Sequence, residues 1–242
     1  MDYKELDYHY DGSLSRDREL EMAAAFPVLM RKVYVWMTMA LVITGLTAWI
    51  VATNASLLNL IYGNQVAIWV LVIAEFALVI SLSAAINKLS LPVATGMFVL
   101  YSVLNGALFS SIFLVYTSSS IATVFFITAG TFAAMSVYGY FTKSDLTSMG
   151  KFLFMALIGL IIATVVNIFV KSTGLEMIIS YAGVLIFVGL TAYDTQKIKD
   201  MCAQAPDAGE GMQKLALLGA LSLYLDFINL FIYLLRILGK RE

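Results

Sequence analysis

Ser222, Asp226, Asn229, Tyr233 and Arg236 recur at a 4-3-4-3 spacing within the otherwise apolar run from Leu221 to Arg236. At 3.6 residues per turn this spacing aligns all five on one helical face. With its flanks, Gln213 to Leu238, the run is long enough to cross a bilayer, since about 20 residues rising ~1.5 Å each span the hydrocarbon. A carboxylate at that depth costs roughly 2.5–3.5 kcal/mol on insertion scales, so Asp226 is expected to face protein or water rather than lipid. Two more acids, Glu75 and Asp194, fall inside apolar spans, with Asp194 nearer a span end. No lysine, arginine or histidine lies as deep; Lys88 and Arg236 reach only from span ends.

If neighbouring helices bring Asp194 and Asp226 within about 4 Å, their charges repel by roughly 4 kcal/mol at an effective dielectric of about 20. Such a pair holds one proton at neutral pH and titrates as a unit. It is also a hard-oxygen site. With Glu75, the Asn105 and Asn229 amides or loosened backbone carbonyls, it suits holding or passing Ca²⁺, which takes about six to eight oxygens. The same groups suit a proton relay, and the remaining alternative for each acid is a neutral, hydrogen-bonded packing group.

The elements that must position these residues read as seven apolar spans, near 33–53, 66–86, 93–116, 121–141, 149–170, 175–198 and 213–238. The stretch Asn54–Gln65 reads as a polar connection, and Met201–Met212, with Pro206, Gly209 and Gly211, as the one substantial gap. Asn105 and Asn167 are expected to hydrogen-bond between helices; Gly159, Ala163, Gly183 and Gly189 are expected to sit at small-residue helix contacts. Residues 1–21 hold seven acids against three bases and no apolar run, which predicts a solvated tail rather than a secretory signal. The chain thus divides into a polar cytoplasmic tail, 1–24, and a seven-helix membrane domain, 25–242. Eight lysines and arginines gather at one set of span ends and four at the other, which predicts a cytoplasmic amino terminus.

Composition agrees: 61% of the 242 residues are hydrophobic, 13% are charged and the mean hydropathy is +0.88, as in a polytopic membrane protein. A net charge of −1 with no basic cluster gives no footprint for nucleic acid. One cysteine, Cys202, and one histidine, His9, exclude an internal disulfide and a His- or Cys-rich metal site, and no resident cofactor is expected. Paired membrane aspartates also describe intramembrane aspartyl proteases, and Tyr193-Asp194 matches their first motif. Their second motif needs glycines before the aspartate so that backbone can approach substrate, whereas Asp226 follows Leu223-Tyr224-Leu225. The chain is therefore not expected to be an enzyme.

Three segments resemble one known family. Leu221–Ile232 is similar to the most characteristic stretch of the Bax inhibitor-1 family, Ala192–Ile198 resembles its sixth-helix motif, and Tyr140–Leu146 resembles the turn of its bacterial branch. The resemblance implies an all-α bundle of seven transmembrane helices, six around a central C-terminal helix, carrying a pH-sensitive Ca²⁺ leak. It implies that Asp194 and Asp226 form the pH sensor, and that Glu75 matches a family acid on the second helix. Where some relatives carry a latch arginine near the cytoplasmic end of that helix, this chain has Ile86-Asn87-Lys88, so Lys88 is the expected latch and substitutes only partly, because an ammonium lacks the two-pronged guanidinium geometry. The resemblance further implies residence in a bacterial inner membrane and a membrane-anchored ATP-dependent protease as partner, with the tail as its handle. The competing expectation is a non-conducting regulator of other membrane proteins.

Overall fold

The computed structural model describes the backbone of residues 3–241 and the side chains of residues 20–241. Helices form wherever the apolar runs predict them, and polar residues between the runs cap their ends. The described residues form α1 (Tyr3–Thr53), α2 (Ala55–Tyr62), α3 (Gln65–Ala85), α4 (Leu91–Phe109), α5 (Ile112–Val115), α6 (Ser118–Phe141), α7 (Thr147–Val170), α8 (Thr173–Ala203) and α9 (Glu210–Leu238). Seven of them are long and apolar enough to cross a membrane: α1 from Leu20, α3, α4 with α5, α6, α7, α8 and α9. The solvated character expected of the tail concerns side chains outside the described ones.

The C-terminal helix α9 is the hub. It packs most extensively against α8 and α1, then α6 and α4, and 61% of its apolar window is buried. The corresponding share is 6% for α3 and for α7, which flank the bundle against α4 and α8 respectively. Leu217, Leu223, Tyr224 and Leu230 of α9 are fully buried, so the apolar surface around its polar spine packs against protein. On the face away from Asp226, the Tyr224 hydroxyl meets Thr44 Oγ1 at 2.7 Å, and Thr44 donates to the Ser102 carbonyl at 2.9 Å. These two bonds tie α9, α1 and α4 together.

Two details differ from the sequence reading. The 54–65 connection contains a helix, α2, because Asn54 Oδ1 accepts from the Ser56 and Leu57 amides while Leu57, Leu58, Ile61 and Tyr62 pack around Val51 and Ala107. The first span begins well before residue 33, since Ala25, Leu29 and Met30 are buried in the main core. At the far terminus, the Lys240 amide donates to Ser120 Oγ at 2.9 Å and its carbonyl accepts from the Thr117 amide at 3.1 Å, clasping the chain end to the start of α6.

Candidate functional site

The polar spine of α9 faces a cavity of about 940 Å³ lined by α3, α4, α7, α8 and α9. Ser222, Asp226, Asn229 and Tyr233 all line it, as the spacing predicts. Arg236 does not; its guanidinium lies 5.5 Å from the centre of the Tyr233 ring instead. Asp194 of α8 and Glu75 of α3 line the same cavity, so the three membrane acids share one space.

Asp226 is 4% exposed, and its Oδ2 has no hydrogen-bond partner among the described residues. Glu75 Oε1 is likewise buried without a partner. Asn229 uses its amide Nδ2 locally, donating to the Leu225 carbonyl at 2.8 Å, so its side-chain oxygen is the atom that can face an ion. Buried polar atoms are nearly always paired, so unpartnered carboxylate oxygens on a cavity wall mark where water, a proton or a cation is wanted. Among the described residues no three acidic, His or Cys side chains converge as a metal cluster. The two aspartates and Asn229 would therefore need water to complete a Ca²⁺ shell.

Aromatic side chains shape the ends of this space. Tyr233 stacks on Phe187 with ring centres 6.0 Å apart, and it lies flat over Gly183, where an added Cβ would come within 2.6 Å of the ring. At the other end the Tyr193 ring covers Gly150, where a Cβ would come within 2.5 Å. Gly183 is thus the helix contact that the sequence predicts, and Gly189 is another, against Leu153. Gly159 is not, because nothing stands within 4 Å of its Cβ position.

Other expected residues lie elsewhere. Asn105 is buried one turn beyond Tyr101, does not line the cavity, and its Nδ2 makes no hydrogen bond, interhelical or other, among the described residues. Asn167 also makes no interhelical bond: its Oδ1 accepts from the Ser172 amide at 3.0 Å and closes the end of α7, where Lys171 turns left-handed at φ 53. Lys88 is exposed beyond the end of α3 and does not reach the cavity. The cations that line it are Lys151 of α7 and Lys197 of α8. Lys197 was open to discovery from sequence, since it follows Asp194 by three residues and so shares its helical face. Lys151 was not, because it depends on which helix lies beside α8.

Gln196 is a second residue that spacing did not single out. Its Oε1 accepts from the Leu146 amide and its Nε2 donates to the Ser144 carbonyl, both at 2.9 Å. Lys199 adds a bond from Nζ to the Tyr140 carbonyl at 2.9 Å. The turn 140–146 is thereby held against α8, two residues from Asp194.

Comparison with known proteins places this arrangement. The family described as "Inhibitor of apoptosis-promoting Bax1" matches residues 27–242. The inner membrane protein YbhL of Escherichia coli K12 is 51% identical over 227 residues, covering 93% of this chain and 97% of that protein. An uncharacterized protein of Borreliella burgdorferi is 47% identical over 213 residues, covering 88% of this chain and 92% of its own. One from Rickettsia prowazekii is 43% identical over 213 residues, covering 88% and 89%. A match over nearly the whole membrane domain means that this multi-pass membrane protein belongs to the Bax inhibitor-1 family.

Proposed function

We propose that the protein is a Ca²⁺-permeable leak whose Asp194 and Asp226 share a proton and thereby couple ion passage to pH. The observation that carries this reading is the single cavity lined by Asp194, Asp226 and Glu75, with an oxygen of Asp226 and one of Glu75 left without partners. Two carboxylates facing one space avoid repulsion by holding one proton between them. Losing that proton adds about one negative charge to the pathway, which attracts cations and shifts the balance between helix arrangements. With Tyr233 stacked on Phe187 at one end, we read the present arrangement as the closed one.

Residence in the inner membrane is supported by the name of the E. coli relative, and a cytoplasmic amino terminus by the distribution of lysine and arginine. Lys151 and Lys197 then mark the cytoplasmic end of the cavity. The test is Ca²⁺ influx into liposomes holding the purified full-length chain. Influx above that of empty liposomes, unchanged when residues 1–21 are deleted, is the expected result. No influx at any pH contradicts the leak; it favours the regulator of other membrane proteins, such as an ATP-dependent membrane protease, with the polar tail as its handle.

A further inference from the structure

The same cavity opens sideways. Phe76 of α3 and Phe154 and Met155 of α7 line it, yet they are 66%, 60% and 63% exposed. The helices that carry them rest on other neighbours, α3 on α4 and α2, and α7 on α8. The opening therefore lies between the second and fifth spans. Phe154 is the eighth residue of α7, about 12 Å from its start, and Phe76 is near the middle of α3, so the opening sits at hydrocarbon depth. Lipid chains, not bulk water, are what surrounds a protein there.

The wall below that opening has the length and the end group of an amphiphile. Lys151 stands one turn before Phe154 on the same face of α7, and the lining continues through Leu157 to Ile161. From Lys151 to Ile161 is ten residues, about 15 Å, which is half of a hydrocarbon core about 30 Å thick. Lys197 joins Lys151 at the same end, both side chains are exposed, and neither forms an ion pair among the described residues.

We propose that this opening binds an anionic phospholipid, with its phosphate at Lys151 and Lys197 and one acyl chain along Phe76, Phe154 and Met155 toward Leu225 of the central helix. An ammonium beside an anionic headgroup favours binding about fivefold, so the two together favour an anionic over a neutral lipid by about 25-fold. The headgroup selects the lipid and the apolar wall seats it. This site does not depend on ion passage, and it stands or falls separately from the leak.

The test uses the full chain in phosphatidylcholine vesicles doped with a phosphatidylglycerol that carries a photoactivatable carbene precursor in mid-chain. The expected labelling falls on α9 between Ser222 and Asn229, in addition to openly lipid-facing positions such as Phe169. In the Lys151→Ala/Lys197→Ala double variant, the probe fraction that half-labels α9 rises tenfold or more, while labelling at Phe169 is unchanged. A Lys151→Arg/Lys197→Arg variant keeps the wild-type response. Absence of label on α9, equal labelling by the phosphatidylcholine analogue of the probe, or an unchanged response in the alanine variant would each overturn the proposal.

Discussion

Asp226 and Tyr224 lie two residues apart on α9 and meet opposite fates. Tyr224 points into the core, fully buried, with its hydroxyl satisfied by Thr44; Asp226 is almost as buried, but one oxygen is left open toward a cavity. The first is therefore a stability residue. Replacing Tyr224 with Phe removes one buried bond while Thr44 keeps the Ser102 carbonyl, a loss of about 1 kcal/mol, or roughly 2–4 °C in the thermal midpoint of the detergent-solubilised protein. An unchanged midpoint would show that this bond contributes nothing. Asp145 offers a pH-dependent case outside the spans. The Thr147 hydroxyl and amide, bonded to its carboxyl, hold it below the usual carboxylate range. A lowered folded value means that the contribution is present above the unfolded value of about 3.9 and is lost as pH falls through the lower folded one. The protection factor of the Thr147 amide, that is, its exchange relative to the intrinsic rate at each pH, should fall on acidification in that range, and Asp145→Asn should remove this pH dependence; an identical protection profile in the variant contradicts this.

At the scale of elements, the turn between α6 and α7 is held to α8 by Gln196. Its side chain satisfies one donor and one acceptor of the turn, and Leu146, whose amide it accepts from, is buried. Gln196→Ala leaves that amide without its partner, at a cost of about 1–3 kcal/mol, so exchange at Leu146 should rise by about tenfold or more. Exchange at wild-type rates would mean that Lys199 alone holds the turn. The sequence makes both partners visible as motifs, Tyr140–Leu146 and Ala192–Ile198, but not their pairing. The same limit recurs elsewhere. The 4-3-4-3 spine of α9 identifies the face that lines the cavity, because a carboxylate cannot face lipid, and four of its five members are there. Spacing cannot name the neighbouring helix, so Lys151 is found only once α7 is seen beside α8. Small residues are also ambiguous: Asn167 closes its own helix end, and Gly159 faces open space, although both types equally suit interhelical contacts. In α2, the capping Asn54 outweighs the polar look of the connection.

For the whole molecule, the decisive feature is the contrast between a buried hub, α9, and two peripheral flanks, α3 and α7, that bury little of their surface. The hub α9 carries the spine, α8 carries Asp194, and α3 and α7 flank the cavity on either side of its opening with little burial of their own. Helices that rest on one side of the bundle, α3 on α4 and α7 on α8, are the ones whose positions relative to α9 a change of one charge can shift. If Asp194 and Asp226 act as one titrating unit, Ca²⁺ flux into liposomes across pH 5 to 8 reports it. Wild type is compared with Asp194→Asn, Asp226→Asn and the double variant. Wild-type flux should follow pH, each single substitution should flatten the response, and the double variant should add little to either. A pH response that survives in either single variant, or losses that simply add in the double variant, would contradict it.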